Sequence, residues 1–381
     1  MMKHIRKACN KHNKHKHYID TSHMQETVQK QSKRIEYIDA LRGFTMILVV
    51  FSHVEWASFE IKDSFINELF ISFRMPLFFF ISGFIGYKAN QEWDWKMWWT
   101  MSKKKMLVQI IPTLVFGLAY TCLYLNVEPY LFVSSHTKLG YWFTIVLCEM
   151  FILVYTMNLA LHQCATRNTM RWKLTGIVAL TGILFIARLL PVAFPSCQNV
   201  FDILCMHQTI KYFPFFAFGY VCSMYKEIFN KALNNRHIAT SVIILFAILF
   251  YTKIMYLTPN AGVSHIIFFA EIMVEIIVGI LGLVIVYNTF KTYSDNFSSD
   301  KQIGKGLQSI GRKTLDIYLL HYFFLPYVPQ VGAVLSNGKN SALEIIIGGA
   351  ISIGLIWICM GVSYVLRTSP ILAKYLFGAK K

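Results

Sequence analysis

The sequence predicts an all-α integral membrane protein of about ten transmembrane helices, and three observations carry that reading. Of its 381 residues, 55% are hydrophobic and only 15% are charged, a balance too apolar for a soluble enzyme. Apolar runs near the roughly 20 residues that cross a bilayer recur along the chain. Because these runs are continuous, they exclude a membrane β-barrel, whose strands read as alternating segments of about ten residues.

Apolar runs bounded by turn signals place the ten spans at about 39–57, 66–87, 104–125, 141–161, 174–194, 209–225, 237–257, 264–289, 311–330 and 343–366. Lysine and arginine then set the orientation. Of 37 such residues, 29 fall before the first span, after the even-numbered spans or after the last. The opposite loops hold only Lys62, Lys138 and Lys339. By the positive-inside bias both termini are cytoplasmic, in a multi-pass membrane protein. The net charge of +17 is thus the sum of loops facing lipid headgroups, and no nucleic-acid partner is expected.

Residues 1–37 are polar and rich in Lys and His, and read as a basic, disordered cytoplasmic tail. Its histidines, His4, His12, His15, His17 and His23, lack the ligand spacing of a structural zinc site, so no metal is expected. Residues 38–366 form the transmembrane domain, and 367–381 a short basic cytoplasmic tail. Cys197 and Cys205 share an outer loop where an oxidising compartment permits a disulfide, although spacing alone does not bring two Cβ atoms together.

Arg42 and His53 lie in one apolar run, Ala40-Leu-Arg-Gly-Phe-Thr-Met-Ile-Leu-Val-Val-Phe-Ser-His53. Eleven helical steps at about 100° each return to the same face, roughly 16 Å further along the axis. Ionisable groups inside a bilayer are costly and normally face a bundle interior or wet cavity, so two on one stripe point to a site. Taken alone, Arg42 reads as a snorkelling anchor and His53 as a helix-contact residue. Their alignment favours a site.

Further motifs follow. Tyr37-Ile-Asp-Ala-Leu-Arg42-Gly precedes His53, and Phe73-Arg-Met-Pro-Leu-Phe-Phe-Phe-Ile-Ser-Gly-Phe84 fills the second span. Tyr141-Trp-Phe143, Tyr212-Phe-Pro-Phe-Phe-Ala-Phe-Gly219 and Gly311-Arg-Lys-Thr-Leu-Asp-Ile-Tyr-Leu-Leu-His321 come later. Over about residues 35–365 this pattern resembles the membrane-bound acyltransferase family 3, the family of bacterial surface-polysaccharide O-acyltransferases. The resemblance implies transfer of an acetyl or short acyl group from cytoplasmic acyl-CoA to a glycan or glycolipid hydroxyl. It also implies that Arg42 and His53 serve donor handling and catalysis; Ser82, in a second family motif, and His321, at a family position, are candidates for lining the cavity, His321 equally for a helix contact.

One departure is visible. Many members carry Arg-x-x-Arg before the proline of span three, whereas this chain has Met106 and Gln109 ahead of Pro112. Lys103, Lys104 and Lys105 precede them and supply charge at the same membrane face, without arginine's planar grip on phosphate.

From these positions, Arg42 with Lys103, Lys104 and Lys105 is expected to hold the CoA phosphates, and His53 to act as general base or acyl carrier. Arg74 stands at a depth comparable with His53, for an oxyanion or an anionic acceptor. Asp63 and Glu68 are candidates for orienting imidazole or receiving sugar hydroxyls. Asp316 is expected to pair with Arg312 at i,i+4. The Trp93, Trp95, Trp98 and Trp99 cluster reads as an interfacial belt. The leading function is a membrane O-acetyltransferase with acetyl-CoA, or another short acyl-CoA, as donor. The alternative is a polytopic transporter of a glycan or metabolite. Acceptor identity, acyl length and oligomeric state are not set by the sequence.

Overall fold

The computed structural model describes residues 35–89, 91–164, 170–260, 264–338 and 340–377. Most of the predicted tail, with its histidines, and Lys339 lie outside the described residues. Among the described residues the protein is helical throughout, without strands.

Helix α1 (Glu36–His53) continues as a π-helical turn over Val54–Ser58. It is the most enclosed span, with 72% of its most apolar stretch buried. Helix α2 (Phe65–Gly86) starts where Ser64 Oγ accepts from the Asn67 amide at 2.9 Å, which satisfies one of the first-turn donors. Helix α3 (Trp95–Ala119) is capped in the same way, Asp94 accepting from the Met97 amide at 2.6 Å, so this span begins earlier than its apolar run suggests. Helices α4 (Trp142–Cys164), α5 (Met170–Ala187), α6 (Met206–Met224), α7 (Arg236–Thr252) and α8 (His265–Thr292) follow. The spans containing α5 and α7 have only 11% of their apolar stretches buried, leaving those faces for lipid.

Helices α2 and α6 pack backbone to backbone. A Cβ added at Gly83 would stand 2.0 Å from the Phe216 carbonyl oxygen, and one at Gly219 the same distance from the Phe80 carbonyl oxygen. The glycine of Ser82-Gly83-Phe84 is therefore a packing position that lets two helix axes approach. It draws Phe79, Phe80, Phe213 and Phe216, all 0% exposed, into the core.

The chain then forms α9 (Gln302–Arg312), α10 (Thr314–Leu320), a short 3-10 turn His321–Phe324, α11 (Pro329–Gly338), α12 (Ser341–Leu366) and α13 (Pro370–Phe377). Among the described residues, eight helices are long and apolar enough to cross a membrane, or nine if the bent pair Thr314–Phe324 and Pro329–Gly338 counts as one span. Two predicted spans depart from expectation. The ninth, read as 311–330, bends by 100°: Pro326 lacks the amide that would continue the helix beyond the 3-10 turn, and Pro329 opens α11 as its first residue. The sixth is a 19-residue helix whose first half carries His207, Gln208 and Lys211, and its inner face is covered by α2 rather than lipid.

The segment read as a short basic tail begins with structure. Arg367 donates to Asp316 from Nε at 2.9 Å and from Nη2 at 2.8 Å, and Phe377 of α13 is 4% exposed. Asp316 thus pairs with Arg367 and with Ser363 Oγ (2.5 Å), and Arg312 instead donates to Gln308 at 3.4 Å. Cys197 and Cys205 are both free thiols, Cys205 being fully buried.

Candidate active site

A cavity of about 570 Å³ runs between α1, α2, α3 and α4. Helical periodicity selects its walls. Helix α1 contributes Arg42, Met46, Val49 and His53, spaced four, three and four residues apart. Helix α2 contributes Ile71, Arg74, Met75, Phe78, Ile81, Ser82, Ile85 and Gly86, and α3 contributes Met101, Lys104, Lys105, Val108 and Gln109. Each set is one stripe of a 3.6-residue helix.

The two ends of the cavity differ in chemistry. Near one end Arg42 donates from Nη2 to Thr314 Oγ1 at 3.0 Å and lies 3.7 Å from Asp39. Lys88, Lys104 and Lys105 line the same cavity, and Lys105 Nζ sits 3.3 Å from the centroid of the Phe151 ring. That cation–π contact holds a half-buried ammonium in place without neutralising it. Trp93 and Tyr155 complete this end, their ring centroids 4.9 Å apart. A phosphorylated ligand fits such a cluster of guanidinium and ammonium groups.

At the other end His53 Nε2 lies 3.2 Å from Tyr322 Oη. Arg74 donates from Nη1 to the Val49 carbonyl oxygen at 3.3 Å, one turn before His53, while its buried Nε has no partner among the described residues. His321 stands behind His53, ring centroids 5.1 Å apart. Its Nδ1 lies 2.8 Å from the Tyr318 carbonyl oxygen and 3.1 Å from that of Ile317. Since carbonyls only accept, Nδ1 carries a proton, and the buried Nε2 has no partner among the described residues. The aromatic wall here comprises Trp142, Phe143, Tyr212 and Tyr318. Trp142 and Tyr212 stack at 5.3 Å and 14°.

The predicted site residues divide clearly. Arg42, His53, Arg74, Ser82, Lys104 and Lys105 share the cavity. Lys103 is exposed outside it, because its position is rotated off the stripe that holds Lys104 and Lys105. Asp63 and Glu68 do not line it either. Asp63 lies in the exposed connector before α2, and Glu68 is an exposed residue of the first turn of α2. His321 lies behind the wall, fully buried at the bend of the ninth span. Ser82 donates to the Phe78 carbonyl at 2.8 Å, a local helix bond.

Three groups were not singled out as site residues by sequence reasoning. Tyr322 is brought to His53 by the bend after α10, and the only hint in the sequence is its place beside His321. Lys88 and Gln91 come from the short link between α2 and α3, whose charge reads as an ordinary membrane-side loop. Trp93 departs from the interfacial belt: it is 5% exposed and faces the cavity, whereas Trp95 and Trp99 are 64% and 58% exposed. Glu275 pairs with Lys211 at 2.9 Å, and Glu149 accepts from Thr209 Oγ1 at 2.6 Å, so both serve contacts between helices.

The family model for an acyltransferase domain, acyltransferase family 3, matches residues 35–361. Similar proteins include glucans biosynthesis protein C of Escherichia coli strain SMS-3-5, 25% identical over 53% of this chain and 61% of the relative. The protein of that name from Escherichia coli strain K12 is 24% identical with the same coverage. The chain therefore spans about 61% of the length of these relatives. No solved structure matches it. With the family model aligned over most of its length, the chain belongs to the acyltransferase-3 family.

Proposed function

We propose that this protein is a membrane O-acyltransferase that moves an acetyl or other short acyl group from acyl-CoA to a hydroxyl of a cell-surface glycan or glycolipid. The observation that carries the reading is a cavity with a cationic end at Arg42, Lys88, Lys104 and Lys105 and an imidazole at the other end. Arg42 and His53 are eleven residues apart on one helix, roughly 16 Å along the axis, which is on the order of an extended pantetheine arm. The relatives named for glucan biosynthesis support a glycan acceptor.

Loop charge gives the direction. With the Lys-rich loops in the cytoplasm of an inner-membrane protein, Arg42 meets the donor pool and His53 faces the acceptor side. The CoA phosphates bind the cationic rim and the thioester extends toward His53. His53 takes the proton of the acceptor hydroxyl as its oxygen attacks the thioester carbonyl. The C–O bond forms, the C–S bond breaks, and the CoA thiolate leaves and recovers the proton from the imidazolium. Arg74 is placed to stabilise the oxyanion of the tetrahedral intermediate.

The deciding experiment supplies labelled acetyl-CoA to membranes carrying wild type or His53→Ala at matched abundance, with products mapped by mass spectrometry. Label in membrane glycans of the wild type alone supports the proposal. Label recovered only as CoA ester or free acetate across a broad acceptor panel would overturn it and favour transport or assembly.

A further inference from the structure

Tyr322 and Gly140 bear on which nitrogen of His53 does the chemistry. Tyr322 Oη lies 3.2 Å from His53 Nε2 and 3.3 Å from the Gly140 carbonyl oxygen. The hydroxyl has one proton for two neighbours, and a carbonyl only accepts. The neighbouring hydroxyl of Tyr318 shows how this carbonyl is used. Tyr318 Oη accepts from the Phe143 amide at 3.1 Å, and donates to Gly140 at 2.9 Å. If Tyr322 also donates to Gly140, its oxygen becomes an acceptor and His53 Nε2 must supply the proton between them. His53 Nδ1 makes no hydrogen bond among the described residues and is not one of the enclosed, unpartnered atoms.

Building on the acyltransferase reading above, we propose that Tyr322, anchored by the Gly140 carbonyl, is a positioning residue that holds His53 in its Nε2–H tautomer and leaves Nδ1 as the reacting base. The reverse arrangement, with Tyr322 donating to Nε2, would put the proton on Nδ1 and occupy the remaining lone pair. No base would then face the cavity. In the proposed arrangement Nδ1 takes the acceptor's proton, the C–O bond forms as the C–S bond breaks, and Nδ1 returns the proton to the departing thiolate sulfur. Nε2–H donates to Tyr322 in both imidazole and imidazolium, so neither ring nor phenol has to turn.

The surroundings of Gly140 are built for this task. Lys138, Leu139 and Gly140 have φ of 49°, 50° and 105°, three consecutive residues in the left-handed region. Only the glycine adopts it at low cost. The turn is held by Lys138 Nζ, which donates to the carbonyls of Val133 (2.6 Å), Ser135 (2.9 Å) and Asp202 (2.8 Å), although burial lowers its ammonium below the ordinary lysine range. A Cβ at position 140 would stand 2.4 Å from Tyr322 Oη. From the other side the His321 ring packs on Tyr322 with centroids 4.1 Å apart. These two contacts fix the position of the phenol ring, and with it the oxygen that meets His53 Nε2.

Two measurements on the full chain in lipid nanodiscs test the proposal. Nitrogen-15 NMR of labelled histidine, assigned by loss of the signal in His53→Gln, is expected to show Nε2 protonated and Nδ1 bare in the wild type. In Tyr322→Phe and in Gly140→Ala the His53 signals should shift toward a tautomer mixture. Acyl transfer by both variants should fall by about 10- to 100-fold in kcat, with KM for acyl-CoA unchanged, as expected for a partly misplaced base. A wild-type His53 protonated on Nδ1 would overturn the proposal, as would Tyr322→Phe with an unchanged kcat. If the NMR shifts occur but the wild type transfers no acyl group, tautomer selection stands and the acyltransferase reading fails. If wild type transfers acyl groups but the tautomer is unaltered in both variants, the reverse holds.

Discussion

Lys105 Nζ lies 3.3 Å from the centroid of the Phe151 ring, inside the cavity that also holds Arg42 and His53. Two residues earlier, Lys103 stays exposed outside it. The three-lysine run is therefore divided, with Lys104 and Lys105 in the cavity and Lys103 outside it, and their effects on the donor should separate.

Replacing Lys105 by Ala is expected to raise KM for acyl-CoA by about 10-fold, in line with roughly 1.5 kcal/mol for a charge-assisted contact. Lys103→Ala should leave it within about twofold. Initial rates at varied acyl-CoA concentration make the comparison. Equal effects of the two substitutions would mean that bulk surface charge, and not the cavity, attracts the donor.

Arg42→Ala should weaken acyl-CoA binding to purified protein by at least about 10-fold, since its guanidinium stands at the cationic end of the cavity. Titration calorimetry with a non-hydrolysable acyl-CoA analogue reads this directly. Binding as tight as wild type would remove Arg42 from the donor site.

His53→Ala should reduce acyl transfer by about 100-fold or more while leaving acyl-CoA affinity near the wild-type value, as loss of a general base requires. The check is single-turnover transfer with saturating donor. If binding fell in parallel with rate, His53 would belong to donor recognition instead.

Gly83→Val is expected to destabilise the folded protein by about 3 kcal/mol, because its Cβ would collide with a backbone oxygen that cannot move independently of α6. Ser82→Ala, which removes only a local bond to Phe78, should change stability by less than about 1 kcal/mol. Thermal unfolding in detergent, followed by tryptophan fluorescence, distinguishes the two. Similar losses for both would show that the motif acts through its serine.

Asp316→Asn should cost about 2 kcal/mol, since it weakens the paired bonds from Arg367 and the bond from Ser363 at a carboxylate only 2% exposed. The same unfolding assay applies, with Arg312→Gln as the control expected near wild type. A larger effect from Arg312 would restore the local i,i+4 pair.

Local periodicity and composition made much of this protein legible in its sequence. Hydrophobic runs identified a helical membrane protein because bilayer thickness dictates their length, and eleven steps of α1 placed Arg42 and His53 on one face because helix geometry is local. The family pattern around Ser82-Gly83-Phe84 was visible, but not that Gly83 lets α2 touch α6. Only the tertiary structure separated Lys105 from Lys103, turned Trp93 from the membrane interface into the cavity, and moved Asp63 and Glu68 outside it. It alone bent the ninth predicted span at its prolines and brought Tyr322 to His53 across 269 residues of chain. Such contacts depend on where separate helices end and how their faces mesh, and no helical period records that.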